Sequence, residues 1–273
     1  MISQIGIFPL QKQDISHIAH LQPDGWNDIR EVFFKFIDHD FFYAIKAIFN
    51  DQIIGVGEVI FTKNAAWIGN IIVEKSFRNQ GLGTYLTQFL SNHVIAKNIP
   101  SQLLLATPMG KPIYDKLGFI HDSDYVFMNR DTHQEPLIFE PNHKTIQPYD
   151  SGFYKQVVSL DEMAMGENRE AILHHFTKDA IISVEQDLQG FFLPHLGDGL
   201  IVAENSRAGF ELLKFKWTHY GETITLPAQN HEIIRFAESF GFKPYRYAAR
   251  MILGISFAWN PQMIYNRIGG YMG

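Results

Sequence analysis

Between Val73 and Thr84 the chain reads Val-Glu-Lys-Ser-Phe-Arg-Asn-Gln-Gly-Leu-Gly-Thr. Its centre, Arg78-Asn79-Gln80-Gly81-Leu82-Gly83, has the spacing Arg-x-x-Gly-x-Gly. Glycines at those positions let backbone N–H groups approach a ligand with no side chain in the way. An apolar, strand-like run from Trp67 to Val73 leads into the loop, and a helix-patterned run from Leu82 to Ala96 leads out. The amides are therefore delivered at a helix N-terminus, where unpaired donors and the helix dipole favour an anion. This chemistry suits a phosphate, and above all a pyrophosphate. Two related loops are excluded. A dinucleotide fingerprint needs a third glycine at position 86, where Leu86 stands, and the Gly-Lys-Ser/Thr of a Walker loop is absent.

Other residue types offer proton chemistry. Tyr114 is a candidate general acid, because a phenol titrating near ~10 can protonate a leaving thiolate of comparable basicity. Glu58, in Gly57-Glu-Val-Ile-Phe61, is a candidate general base if it faces a cleft and an ordinary strand carboxylate if it faces solvent. Asn70 is polar within an apolar strand, and either lines a pocket or bonds a bulge. Asp24 and Asp28, beside Trp26, either orient a cationic acceptor or cap a helix. The twelve histidines suggest no metal site. His17 and His20 are three apart, His174 and His175 are adjacent and point to different helix faces, and no His-Glu-x-x-His occurs.

The elements that must carry these groups alternate between strand and helix patterns in the first half. Ile5 to Leu10 reads as a strand. Ile15 to Leu21 and Ile29 to Ile37 read as helices, by apolar spacing of three and four. Phe42 to Phe49 and Ile53 to Phe61 read as a hairpin turned by Asn50-Asp51. Ala66 to Val73 is the next strand. The following helix carries Leu82, Leu86, Phe89, Leu90 and Val94 on its packed side. Leu103 to Ala106 and Tyr125 to Asn129 are further strands.

The chain has 273 residues, 46% of them hydrophobic and 19% charged, as in ordinary globular proteins. A net charge of −6 disfavours a nucleic-acid partner and mildly favours cationic ones. The absence of cysteine excludes disulfides and thiolate catalysis. No apolar run is long enough to span a membrane, and Met1 to Ile7 has no signal-peptide character. The expectation is a cytoplasmic protein without a membrane partner.

The loop closely resembles the acyl-CoA-binding motif of the GNAT family of N-acetyltransferases, whose Arg/Gln-x-x-Gly-x-Gly/Ala follows a strand ending in valine. Tyr114-Asp-Lys-Leu-Gly-Phe119 resembles the family's Tyr-x-x-x-Gly-Phe, with Gly118 placed to end a helix in the left-handed conformation. Gln22-Pro-Asp-Gly-Trp-Asn27 is a partial match to the segment that edges the family's acceptor pocket. The resemblance implies that Ile71, Ile72 and Val73 pair with the pantetheine arm through their backbone, and that an N–H there bonds the thioester oxygen. It implies a cradle of Arg78, Asn79, Gln80, Gly81, Leu82, Gly83 and Thr84, acetyl-CoA as cosubstrate without a metal, and Trp26 and Asn70 at the acceptor pocket.

The second half echoes the first. Glu232 to Phe242 repeats the helix-then-Gly-Phe pattern, and a strand from Pro244 to Leu253 follows, with Arg250-Met251 near its end. Gly166-Glu-Asn-Arg169-Glu-Ala-Ile-Leu173 fits the Gly-x-x-Arg-x-x-x-Leu found in an early helix of the second domain of tandem GNAT proteins. The corresponding phosphate loop is missing, because Ile201 to Gly209 contains no Arg-x-x-Gly-x-Gly and carries Glu204. The resulting expectation is a mixed α/β fold with two GNAT-like domains, each a twisted mixed sheet flanked by helices. Residues 1–131 form the domain that binds acetyl-CoA and residues 132–146 a linker. Residues 147–273 form a degenerate domain that contributes to the acceptor site. The implied function is acetyl transfer from acetyl-CoA to a small-molecule or peptide amine by direct attack, and the alternative is a non-catalytic acyl-CoA-binding module. The sequence identifies neither the acceptor nor the oligomeric state.

Overall fold

The structure is a computed structural model that describes residues 4–131, 133–142 and 145–273. The chain divides into two compact units. Unit 1 comprises Met1–Ile120, Met251–Ile255 and Gly270–Met272, and unit 2 the remainder, so neither is one continuous stretch of sequence.

Unit 1 is built on strands β1 (Gly6–Pro9), β2 (Phe42–Phe49), β3 (Gln52–Phe61), β4 (Ala66–Val73) and β5 (Ser101–Ala106), in that order across the sheet. The first four pair antiparallel and β4 pairs parallel with β5. The β2–β3 hairpin turns on Asn50 and Asp51, at φ +47° and +61°. Two left-handed residues form the tight turn whose twist matches its strands, and Asn and Asp adopt it most readily after glycine. Helices α1 (Ile29–Phe36), α2 (Leu82–Ala96) and α3 (Lys111–Lys116) cover the sheet. On α2, Leu82, Leu86, Leu90 and Val94 are buried on one stripe. Each contributes roughly 1.5–3 kcal/mol of burial, which fixes how the helix presents its N-terminus. The segment expected to be helical from Ile15 to Leu21 is a 3₁₀ helix, Lys12–Leu21, burying Ile15, Ile18 and Leu21 at threefold spacing.

In unit 2, β6 (Ile120–Asn129) pairs antiparallel with β11 (Thr223–Pro227). A separate antiparallel sheet runs in the order β13 (Ile264–Asn266), β10 (Leu200–Ala203), β9 (Leu188–Leu193), β8 (Ile181–Val184), β7 (Ile146–Pro148). Helices α4 (Tyr154–Met165), α5 (Glu170–Leu173), α6 (Ser206–Tyr220) and α7 (His231–Ser239) flank these strands. Strand β12 (Lys243–Gly254) begins in unit 2 and supplies its last residues to unit 1. There Ser101 Oγ donates to Ile255 O, 2.6 Å away.

Of the expected linker, residues 132, 143 and 144 lie outside the described residues. Residues 133–142 form no helix or strand yet are tied down: Leu137 N donates to Glu222 Oε1 at 2.6 Å and Phe139 N to Thr218 Oγ1 at 3.0 Å. The Gly166–Leu173 pattern does not lie within one helix. Gly166 ends α4 at φ +73°, and Arg169 precedes α5. Arg169 is buried and paired with Asp161, its Nε donating to Oδ2 at 2.9 Å. The arginine thus belongs to an internal ion pair at a helix junction. No helix among the described residues is long and apolar enough to cross a membrane.

Candidate active site

The loop after β4 is shaped by its own polar groups. Glu74 accepts from Ser76 N, Arg78 Nε donates to Val73 O at 2.9 Å, and Gln80 Nε2 donates to Ser76 O at 2.8 Å. Asn79 and Gly81 are left-handed, at φ +59° and +88°. Gly81 is the N-cap of α2, and no side chain caps that helix. Its first N–H groups therefore remain available to an external acceptor, at the end where the helix dipole is positive. A Cβ on Gly83 would lie 3.4 Å from Ile113 Cδ1 and 3.9 Å from Val73 Cγ2, so the first turn of α2, the end of β4 and α3 converge there. Leu82 is buried and anchors this turn, and Thr84 follows on it.

The strand–helix unit at β10–α6 differs in the feature that matters. Asn205 caps α6 by accepting from Ala208 N at 3.0 Å. Gly209 faces Tyr265, whose ring carbon would sit 2.1 Å from an added Cβ. The Ala208 amide of this helix start is already taken by a side chain, and its glycine serves packing.

Strand β4 separates from β5. Their registered pairs, Ala66↔Gln102 and Trp67↔Leu103, leave Ile68 to Val73 beyond the paired region. Ile71, Ile72 and Val73 lie in this stretch. On its other side β4 follows β3 with a shift of register, Val56↔Ile72 then Glu58↔Gly69. The extra residue is in β4, and Asn70 occupies it at φ +46°. Bulges re-aim side chains and are frequent beside functional sites. Here the bulge aims Asn70 at Glu58, with Asn70 Nδ2 donating to Glu58 Oε1 at 2.9 Å.

Glu58 faces the interior and not solvent. It is fully buried, and its Oε2 has no hydrogen-bond partner among the described residues. Burial pushes its carboxyl up to about 8, while the bond from Asn70 pulls the other way. A carboxyl that changes charge near neutrality in a dry site can accept a proton there. Tyr114 stands on α3, one residue after Ile113, edge-on to Phe119 with ring centres 6.0 Å apart. Burial pushes its phenol up to about 12, so it holds its proton at physiological pH. Gly118 closes α3 at φ +87°. Trp26 lies in the turn before α1 and is 40% exposed, with its carbonyl accepting from Gln22 Nε2. Asp28 caps α1 by accepting from Arg30 N, and Asp24 pairs with Lys75 on the surface.

The structure thus brings Glu58 and Asn70 into contact, sets Gly83 between Val73 and Ile113 of α3, and ties Arg78 back to Val73. Two contributors escaped the sequence reading. Gly69 is approached so closely that an added Cβ would lie 2.7 Å from Tyr271 Cβ and 2.8 Å from Glu58 Oε1. Tyr271 comes from the far end of the chain. A glycine inside an apolar strand, next to a lone asparagine, is the signal that could have flagged the spot. Among the described residues no group of three or more histidine or acidic side chains is placed to hold a metal.

Residues 24–134 match a family model described as an acetyltransferase (GNAT) domain, and residues 157–266 match a second acetyltransferase (GNAT) domain model. The chain belongs to the GNAT acetyltransferase superfamily. Its two GNAT domains lie in tandem, and solved structures share the fold. A putative acetyltransferase from Pyrococcus horikoshii is 19% identical with a TM-score of 0.80, covering 99% of this chain and 96% of that one. A GCN5-related N-acetyltransferase from Sphaerobacter thermophilus is 15% identical with a TM-score of 0.63, covering 95% and 98%. A tandem GNAT protein from the clavulanic acid biosynthesis pathway is 11% identical with a TM-score of 0.64, covering 93% and 99%. Among curated proteins, none matches this tandem GNAT chain in sequence.

Proposed function

We propose that unit 1 transfers an acetyl group from acetyl-CoA to the amine of a small molecule or peptide, by direct attack and without a metal. The observation that carries this reading is the uncapped start of α2 at Gly81, next to a strand whose edge beyond Trp67 is open. The α2 amides and Arg78 would hold the diphosphate. The backbone of Ile71, Ile72 and Val73 would receive the pantetheine arm as an added strand.

The amine nitrogen then attacks the thioester carbon. Glu58 takes a proton from the amine, directly or through water, and the C–S bond breaks. Tyr114 gives its proton to the departing thiolate and regains one from solvent. Glu58 must be ionised before it accepts the proton and is neutral afterwards; the Asn70 N–H bond favours the ionised carboxylate, and the dry pocket raises its basicity. The buried bare oxygen of Glu58 supports this role, as does a phenol that stays protonated. Trp26, exposed ahead of α1, is proposed to border the acceptor.

Coenzyme A titration by calorimetry tests the cradle. Replacing Gly81 and Gly83 together by valine, with folding checked by circular dichroism, is expected to lower affinity by at least about tenfold, ~1.4 kcal/mol. Unchanged affinity would end this reading. Release of free thiol in the presence of a panel of amines supports the transferase, whereas tight binding with no turnover assigns the chain to the acyl-CoA-binding alternative.

A further inference from the structure

We propose that Tyr271 is a positioning residue that roofs Glu58, keeping bulk water off its carboxyl. This deepens the reading of Glu58 as the base and rests on it for its catalytic meaning. Gly270–Met272 belongs to unit 1 although the residues on either side of it belong to unit 2. The segment lays Tyr271 on the backbone of β4 at Gly69, the residue registered opposite Glu58.

The approach is close. A Cβ at position 69 would lie 2.7 Å from Tyr271 Cβ, 2.8 Å from Tyr271 Cα and 2.8 Å from Glu58 Oε1. Tyr271 and the carboxyl therefore crowd the same side of a residue that must be glycine. The Tyr271 ring meets Phe36 of α1 edge-on at 5.9 Å and is itself buried. Phe36 in turn packs on Phe41 and Phe42. An aromatic lid thus extends from α1 across to β4.

Among the described residues, the partners identified around Glu58 are uncharged. Its cross-strand partners are Ala44 on β2 and Gly69 on β4. Asn70 supplies its hydrogen bond, and burial is the other influence on its titration. Tyr271 shares the space over Gly69 with Glu58 Oε1, and its ring packs on Phe36 of α1. With no charged side chain among the described residues acting on Glu58, exclusion of water is the factor that Tyr271 can control. Removing the ring admits water and moves the carboxyl back toward ordinary behaviour.

The test follows the protonation of Glu58 in the full-length chain by infrared difference spectroscopy. The Glu58 carboxyl band is identified as the one lost in Glu58→Gln. Tyr271→Ala is expected to lower the midpoint by at least about one pH unit, a tenfold change in proton affinity, and Tyr271→Phe to leave it within about 0.3 unit. A folded Tyr271→Ala with an unmoved midpoint overturns the proposal, as does a Tyr271→Phe that shifts as far as the alanine variant. Should the alanine variant fail to fold, Tyr271→Val takes its place, with a lowered midpoint expected and an unmoved one overturning the proposal. The infrared midpoint needs no turnover, so the two readings fail separately. Full activity in Glu58→Gln would remove Glu58 from the chemistry while leaving the roof in place.

Discussion

Replacing Glu58 by glutamine removes a titration that the fold makes costly. In the unfolded chain this carboxyl ionises near its ordinary value of 4.5, and in the folded chain burial holds it at about 8. Below the unfolded value both states carry the proton and there is no penalty. As pH rises from there the unfolded state loses its proton first, so the folded state binds more protons and stability falls with pH. The loss levels off above the folded value. Each pH unit inside the window costs about 1.4 kcal/mol, which amounts to roughly 3 kcal/mol between pH 5 and pH 7. That is a large share of a stability typically ~5–15 kcal/mol. The substituted glutamine keeps an oxygen for Asn70 Nδ2 and cannot ionise. Its amide nitrogen, in the place of the bare Oε2, adds a cost that does not vary with pH. The informative quantity is thus the difference in unfolding free energy between variant and wild type, measured by urea titration at pH 5, 6 and 7. It should move in favour of Glu58→Gln by about 1.4 kcal/mol per unit, because contributions from all other groups cancel. A difference that stays flat across the range would refute the dry-carboxyl argument, whatever the absolute stabilities.

Tyr114→Phe keeps the ring against Phe119 and removes the proton, so thiol-release assays should show kcat reduced ~10²–10³-fold with coenzyme A affinity unchanged. Arg169→Ala leaves Asp161 buried without its cation, and urea unfolding should register a loss of about 3–5 kcal/mol. Gly209→Ala drives a methyl into the Tyr265 ring and should cost ~1–3 kcal/mol, read as a lower thermal midpoint with acetyl transfer unaffected at temperatures where the protein is folded.

The elements of unit 1 were legible in the sequence wherever periodicity and local turn chemistry act alone. The bounds expected for the strand Ala66 to Val73 and the helix Leu82 to Ala96 are those observed, because one is a nearly continuous apolar run and the other carries a buried stripe at helical spacing. Asn50-Asp51 and Gly118 announced their left-handed backbones by residue type. What sequence could not give was anything set by register or by return of the chain. Glu58 is flanked by apolar residues on its own strand, and period alone cannot say whether a residue in a run buried on both faces meets solvent. The extra residue in β4 decides which way Asn70 points, and a bulge leaves no mark on composition. Tyr271 is distant from Gly69 in sequence, so its role there depends wholly on tertiary structure. The Gly166–Leu173 pattern misled for a related reason. Its glycine and arginine have the spacing of one helix face, yet Gly166 ends a helix and Arg169 turns inward to Asp161.

The two helix starts that follow β4 and β10 show why a strand–loop–helix outline is insufficient evidence of an anion site. Both α2 and α6 present a positive dipole end, and both have a glycine in or just before their opening turns. A dipole is common to every helix, so it cannot distinguish them. The distinction lies in whether the N–H donors are already used and whether the glycine leaves a gap. At α6 the Asn205 side chain takes the N–H of Ala208, and the space over Gly209 is filled by Tyr265. An anion arriving there would have to displace a side chain tethered to the same turn, whose competing local concentration is very high. At α2 no side chain competes, Gly81 holds a backbone angle that keeps the turn open, and Arg78 is folded back on Val73 beside it. Installing Asn at position 81 would set the two cases against each other, because asparagine tolerates the left-handed angle and brings its own acceptor to the helix start. If coenzyme A affinity fell in Gly81→Asn while stability rose or held, occupancy of the helix amides, and not the dipole, would be the factor that separates the two domains. If affinity held, the donors of α2 would not be where the coenzyme is gripped.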